Sequence, residues 1–542
     1  MENRDFDVVL IGTGMGALTT ASLLAQFTEK KVLLLEKHFK AGGFTHTFRR
    51  EGKYLWDVGI HYIGDMQEGS FSKKIFDIVT GGTISWNAMP EVFEKFVFSD
   101  FTFSVRNKEN AYQQDLIDMF PEEKEAIQNY FSDVKKVSTW QGRHMLLKGL
   151  APFVETYAKS LNLQGTKSNS LTTKEYMDQN FRSEKLKSIL CSQWGDYGLP
   201  PSLSSFAIHA LVVSHYLNGG FYPDGGSGGI AESVRTILES KGGKILTSRS
   251  VEEILLENGK AVGVKVKNIV QSRKAGHDVI ERYYCDSVIS NAGAYNTYTR
   301  LLPPETPIPF KEELIAFSKK YPKISNVTLY IGLKEDPRKF GFYGENHWIY
   351  SDPDHDKNFR TGMNWPTTGN LPGAYLSFPS LKDSEPMAHT AEIIAFCEYS
   401  DFAKWKDQPW RERDEEYQEK KKSITEQLLS YLEKHYPGFK ENVAYSELAT
   451  PITTEYFTSH LNGTIYGMPC VTDRFNEEKS PWTQPRTPVP NLFLTGADTS
   501  SPGVIGAMMG GVLAFVQASG ISFMEIIKSS VGKAKLEAQK SN

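Results

Sequence analysis

The sequence predicts an α/β fold, a Rossmann-like dinucleotide-binding domain with an inserted α+β domain, and three observations carry the prediction. Val8-Val9-Leu10-Ile11 is an apolar run with no polar alternation, as a fully buried parallel strand requires. It leads directly into Gly12-Thr13-Gly14-Met15-Gly16-Ala17. In such a Gly-x-Gly-x-x-(Gly/Ala) turn the first glycine bends the chain, the second admits a pyrophosphate, and the small third residue lets helix pack on strand. A second buried strand, Val32 to Leu35, ends in Glu36, 24 positions after Gly12, where an acid accepts ribose hydroxyls and repels a 2′-phosphate.

Between these strands a helix from Ala17 to about Phe27 would aim its first N–H groups at the diphosphate. After Glu36 and Lys37 comes a second glycine pair, Gly42-Gly43-Phe44-Thr45, which suits a cofactor whose ribityl chain and flavin continue along the backbone and so points to FAD rather than NAD. Arg49 to Lys53 is a charged turn, and Tyr54 to Tyr62 returns toward the cofactor. With Glu36-Lys37-x-x-x-x-Gly42-Gly43 followed by Trp56-Asp57-Val58-Gly59-Ile60-His61-Tyr62, the chain resembles the flavoprotein family of phytoene desaturases, carotenoid cis-trans isomerases and retinol saturases. The phrase from His209 to Gly226 is most similar to retinol saturases.

Composition fits a large two-part enzyme. The 542 residues are 40% hydrophobic, enough for a sizeable core. A net charge of −4 gives no clustered basic excess for nucleic acid. Cys191, Cys285, Cys397 and Cys470 form no C-x-x-C pair, which suits a reducing compartment, and the expectation is a cytoplasmic protein. The first residues carry no apolar signal region, and no apolar run reaches the roughly 18 residues of a spanning helix.

The expected division gives residues 1–66, 219–296 and 485–530 to the FAD-binding domain, 67–218 and 297–484 to the substrate domain, and 531–542 to a polar tail. In the first substrate segment, Phe93 to Phe98 and Phe101 to Val105 read as strands and Pro121 as a helix start. Met145 to Leu163 interleaves leucines, Phe153 and Tyr157 with Lys148 and Lys159, which reads either as a packed helix kinked at Pro152 or as a segment lying on a membrane surface. Gly225 to Gly229 spells a G-x-S-x-G elbow, but Pro223-Asp224 stands where an elbow needs a buried strand, so no serine hydrolase is expected. A helix from Ala231 to Ser240, strands at 244–246, 251–256 and 262–266 about an Asn258-Gly259 turn, and a buried strand at 286–293 ending in small residues follow. Further strands are expected at 326–333, 348–351 and 374–378. Asp352, Asp354, His355 and Asp356 read as an exposed turn rather than a metal site, and no metal is expected. Arg411 to Lys422 reads as a charged helix entering the stripe Ile424, Leu428, Leu432 and stopped by Pro437-Gly438. Asn491 to Asp498 is a last buried strand, and Gly503-Val504-Ile505 opens a helix.

The resemblance implies a fold of the glutathione-reductase/amine-oxidase type and an FAD enzyme acting on carbon–carbon double bonds of a long apolar polyene, a retinoid or carotenoid. Saturation, desaturation and isomerisation, by hydride exchange at flavin N5, all stay open. It assigns cofactor contacts to the glycine turn, Glu36, Lys37, Gly42 to Thr45, the main chain of Val251, Ala292, Gly496, Asp498 and Gly503 to Ile505. His61, Tyr62 and Tyr222 are the candidate proton donors. With no second dinucleotide fingerprint, an external electron donor or acceptor is expected. Two other readings share the glycine turn: an amine-oxidase-like FAD oxidase of a smaller substrate, and a non-catalytic lipid-binding escort protein.

Overall fold

The computed structural model describes residues 2–150, 170–476 and 478–528. Five parallel strands form one sheet in the order Lys244–Leu246, Val32–Leu35, Val8–Ile11, Ser287–Ser290, Leu492–Leu494. Val8 and Leu10 pack into an apolar layer with the helices Met15–Phe27, Gly228–Glu239 and Gly503–Ser519. Val9 and Ile11 meet Ile254, Val264 and Val266 of an antiparallel meander, Arg249–Glu257, Lys260–Asn268 and Ile280–Tyr284, on the other side. Both faces are covered, which is why these strands show no alternation in sequence. Asn258 and Gly259, both at positive φ, turn the meander's first hairpin where the sequence places it.

A seven-stranded mixed sheet runs in the order Val443–Ala449, Ser325–Leu333, Thr390–Cys397, Gly373–Ser377, Asn346–Tyr350, Val92–Val97, Thr102–Arg106. Here alternation is strict and has two readers. Val327, Leu329, Ile331, Ile349, Leu376 and Ile393 pack against Ile424, Leu428 and Leu432 of the helix Glu415–His435. Asn326, Thr328, Tyr330, Trp348, Tyr350, Tyr375, Ile394 and Phe396 face a large cavity instead. Helices Lys124–Leu147 and Phe206–Tyr216 lie together and share an aromatic-rich core with Phe93, Phe96 and Trp348. The helix Phe71–Thr80, given by sequence to the substrate part, buries Ile75, Phe76 and Val79 in the layer beside the parallel sheet.

Three expectations change. The charged helix begins only at Glu415, because the Asp414 side chain caps it by accepting from Tyr417 N at 2.9 Å. The turn at 352–356 is not exposed throughout: Asp354 caps a helix, His355–Gly362, and His355 is buried with Nε2 2.9 Å from Ser188 O. Lys148, offered by the sequence to lipid headgroups, is buried, with Nζ 3.2 Å from Thr483 Oγ1, since its ammonium finds oxygen acceptors inside. The rest of the amphipathic stretch, 151–163, and the polar tail lie outside the described residues. Among the described residues no helix is long and apolar enough to cross a membrane.

Candidate active site

Residues of both sheets line a cavity of about 2070 Å³, and two groups of them make its two arms. The first arm follows the glycine turn, and Gly12, Gly14 and Gly16 line it with Glu36, Lys37, Gly43, Phe44 and Thr45. A Cβ on Gly43 would lie 2.9 Å from Gly14 Cα, and one on Gly16 would lie 2.4 Å from Gly496 Cα, so side chains at either place would fill the cradle or push the segments apart. Glu36 accepts from Thr13 N (2.9 Å) and Thr13 Oγ1 (2.5 Å) on one oxygen and from His38 N (2.8 Å) on the other. Burial pushes its carboxyl above the usual range, and these bonds oppose that push. Thr13 Oγ1 also accepts from Gly42 N at 2.9 Å, tying the two glycine stretches together.

Val251 and Ala292 line the same arm. A β-bulge between Val251 and Glu253 interrupts the ladder at the point where main-chain contact with an adenine is expected. Asp498 reaches the wall with both oxygens engaged, by Ala294 N at 2.8 Å and Met468 N at 3.1 Å, so it braces three segments there. Gly503, Val504 and Ile505, the first turn of a 17-residue helix, also line the cavity. Ala17, Gly42 and Gly496 do not line the cavity; they let elements approach behind it. A cleft lined by a glycine cradle, an acid at the ribose position and a helix N-terminus fits a flavin dinucleotide. Asn291, which sequence reading passed over, stands between Gly12, Gly14 and Gly496, its amide 2.6 Å from where a Cβ on Gly14 would be. Only its place after the strand Ser287–Ser290 hinted at it.

The second arm is aromatic. Tyr62 stacks on Tyr216 with centroids 4.4 Å apart, Trp348 lies 4.6 Å from Tyr375, and Phe396 lies 5.3 Å from Trp194. His61 and Tyr62 both line the cavity. His61 Nδ1 pairs with Glu392 Oε1, and Glu392 is fully buried. The Tyr62 hydroxyl donates to Asp196 Oδ2 at 2.7 Å. Behind them Lys382 Nζ donates to His61 O (2.8 Å), Asn346 Oδ1 (2.5 Å) and Ser377 Oγ (2.7 Å), and burial lowers it to about 7. Glu392, Asp196 and Lys382 carried no local sequence signal, because strand pairing and a short turn bring them in from far along the chain.

Tyr222 does not fit the proton-donor role. It is 2% exposed, does not reach the cavity, and gives its hydroxyl to Asp57, which also accepts from Ser227 N at 2.7 Å. It is a brace for the glycine-rich loop. That loop precedes the helix Gly228–Glu239, and the segment before it is the three-residue strand Phe221–Pro223, so the serine-elbow spelling has no elbow behind it.

Residues 18–514 match the model of the family described as flavin containing amine oxidoreductase. The human all-trans-retinol 13,14-reductase is 32% identical over 526 residues, covering 94% of this chain and 84% of that protein. The chloroplastic prolycopene isomerase 1 of an Oncidium hybrid cultivar is 27% identical over 489 residues, covering 86% and 76%. In fold the chain is similar to the cyclohexylamine oxidase of Brevibacterium oxydans, with a TM-score of 0.58 at 14% identity over 95% of this chain and 98% of that one. A glycine cradle shaped for a flavin dinucleotide and a family match over nearly the whole length lead to one assignment: the chain belongs to the flavin containing amine oxidoreductase family.

Proposed function

We propose that this protein is an FAD-dependent oxidoreductase acting on a carbon–carbon double bond of a long apolar polyene, a retinoid or carotenoid. The observation that supports the substrate class is the second arm: Tyr216, Trp348, Tyr375, Ile394 and Phe396 line it beside a few polar groups such as Thr328, in one cavity with the flavin arm. A conjugated chain lying among Tyr216, Trp348, Tyr375 and Phe396 is desolvated along its length and brought end-on to the flavin. FAD, when bound, would supply the two-electron chemistry that the reaction needs. The protein's own part is to hold and aim. Gly12, Gly14 and Gly43 admit the diphosphate, Glu36 fixes the adenosine end, and the first turn of the helix Gly503–Ser519 puts positive dipole where a reduced flavin gathers charge. His61, oriented by Glu392, and Tyr62, tied to Asp196, are placed where a proton has to be moved.

The electron donor or acceptor is external. With four unpaired cysteines the protein belongs in a reducing compartment, and we place it in the cytoplasm, collecting its water-insoluble substrate at a membrane surface. Anaerobic photoreduction of the purified flavoprotein, followed by mixing with all-trans-retinol and separately with a carotenoid, tests the reading. Flavin reoxidation with a changed polyene on chromatography is expected from one of them, or a changed isomer without reoxidation. Oxidation of small amines with no change in either polyene would replace the proposal with the amine-oxidase reading.

A further inference from the structure

We propose that the carboxyl group of Asp196, held by the Tyr62 hydroxyl on the wall of the aromatic arm, is the acid that protonates the bound polyene. This rests on the polyene reading. Asp196 ends a short turn, Ser192–Asp196, and Gly195 before it lies so close to the sheet that a Cβ there would sit 2.2 Å from the Trp348 ring. Because a glycine stands there, the turn presses onto the sheet, and the next side chain reaches the cavity.

One oxygen of Asp196 takes the Tyr62 hydroxyl, and the other takes no hydrogen bond among the described residues. The ionisable groups near enough to act on it electrostatically are Glu94, from the strand Val92–Val97, and the phenols of Tyr62, Tyr197, Tyr216, Tyr350, Tyr375 and Tyr466, of which Tyr197 and Tyr350 engage His209 and Ser192 O instead. No cation is among them. A carboxylate so placed would be a buried charge with one hydrogen bond, whereas a carboxylic acid is neutral and keeps its proton for the ligand. Burial and the Glu94 carboxyl accordingly push Asp196 well above the usual carboxylate range, against the Tyr62 bond. Tyr466, which donates to Gly195 O, is followed by Gly467, where a Cβ would lie 2.6 Å from Asp498 Oδ1, and Asp196 and Asp498 line the same cavity.

In the reducing direction the step balances. A hydride from reduced flavin forms a C–H bond at one carbon of the double bond, and the π pair takes the Asp196 proton at its neighbour. The polyene gains two hydrogens, the flavin is left oxidised, and the Asp196 carboxylate, steadied meanwhile by Tyr62, regains its proton from water. Desaturation runs the same transfers backwards.

Two measurements on the flavin-loaded protein test this. Infrared difference spectroscopy of the native protein against Asp196→Asn at neutral pH should show a protonated-carboxyl C=O band in the native protein alone. In single turnover with reduced flavin and the polyene that the native protein converts, Asp196→Asn should be about a hundredfold slower or worse. Polyene binding, read by quenching of protein fluorescence, should stay within about threefold. Tyr62→Phe should move the carboxyl band and slow turnover less, and it carries the test alone if Asp196→Asn fails to hold flavin. An ionised Asp196 in the native protein, or undiminished turnover by Asp196→Asn, overturns the acid while leaving the polyene reading intact. A native protein that binds and converts no polyene overturns both.

Discussion

Both oxygens of Glu36 are engaged before any ribose arrives, because Thr13 and His38 supply N–H donors to it. Removing the acid therefore costs the turn as well as the cofactor. In Glu36→Gln an amide group replaces one of two acceptors, and a charge-assisted bond worth about 1.5–3 kcal/mol is lost, so FAD affinity should fall about tenfold or more. Glu36→Ala should lose at least as much and should also lower the thermal midpoint of the apoprotein, as the Thr13 N–H is left buried and unpaired. Flavin retained after dialysis and apoprotein melting check the pair. His61→Ala should slow polyene turnover with a normal flavin spectrum, by less than the roughly hundredfold expected of Asp196→Asn. Tyr222→Phe should leave turnover within a few-fold and show its effect in stability, through Asp57; equal losses of turnover in both would restore Tyr222 as a donor. The difference between these two residues was illegible in the sequence. Gly12 to Ala17 and Glu36 announce themselves because a turn and the strand after it are local, whereas Tyr222 was chosen for the company of its segment, and which way a side chain points is decided by tertiary packing. Thr13, an unspecified position in the motif, turned out to bind Glu36 and Gly42 at once.

At the scale of elements, the first two strands of the flavin sheet, Val8–Ile11 and Val32–Leu35, were legible to the residue because buried runs leave little alternative, whereas the last, read over 491–498, is only Leu492–Leu494. The partnership of Gly16 with Gly496, some 480 positions away, was not. Here the helix Met15–Phe27 seats against the segment after the last strand, and a methyl group between two backbones has nowhere to go. Gly16→Ala should cost about 1–3 kcal/mol or more and reduce flavin occupancy, measured by urea midpoint and by absorbance of the purified protein. The strand Val92–Val97 gives a pH prediction. Glu94, accepting from Gln193 Nε2 at 2.6 Å and Trp348 Nε1 at 3.0 Å, is raised by burial from its ordinary 4.5 to about 7. The folded state then holds a proton that the unfolded chain releases. Its stabilisation is complete below about pH 4.5 and is lost as pH rises through about 7. Urea midpoints at pH 5 and pH 8 should differ more for the native protein than for Glu94→Gln; equal differences would mean that Glu94 stays ionised in the fold.

For the molecule as a whole, the two arms of the cavity are made by chain segments hundreds of residues apart, and nothing local in the sequence described their junction. What the sequence did offer was a site of contact with lipid, and Lys148 is no part of it. Leu146, Leu147 and Leu150 remain half-buried at the end of the helix Lys124–Leu147, and Leu146 also lines the cavity. Burying such side chains in a bilayer contributes several kcal/mol at roughly 25 cal/mol per Å². The native protein should therefore co-sediment with anionic liposomes, and a Leu147→Asp, Leu150→Asp variant should stay in the supernatant with its melting temperature little changed. Native protein left in the supernatant, or a variant that unfolds, would return the segment to the interior.

The seven-stranded sheet has a further consequence for how such a protein can change over generations. Along Ser325–Leu333 and Asn346–Tyr350 one set of side chains grips the helix Glu415–His435 while the set between them forms the wall met by substrate. Folding and diet are thus written on opposite sides of the same strands. Mutations at Asn326 or Thr328 can resculpt the wall for a longer, shorter or bent chain while Val327, Leu329 and Ile349 go on holding the sheet to its helix, so a lineage can shift its appetite among polyenes without first having to relearn how to fold.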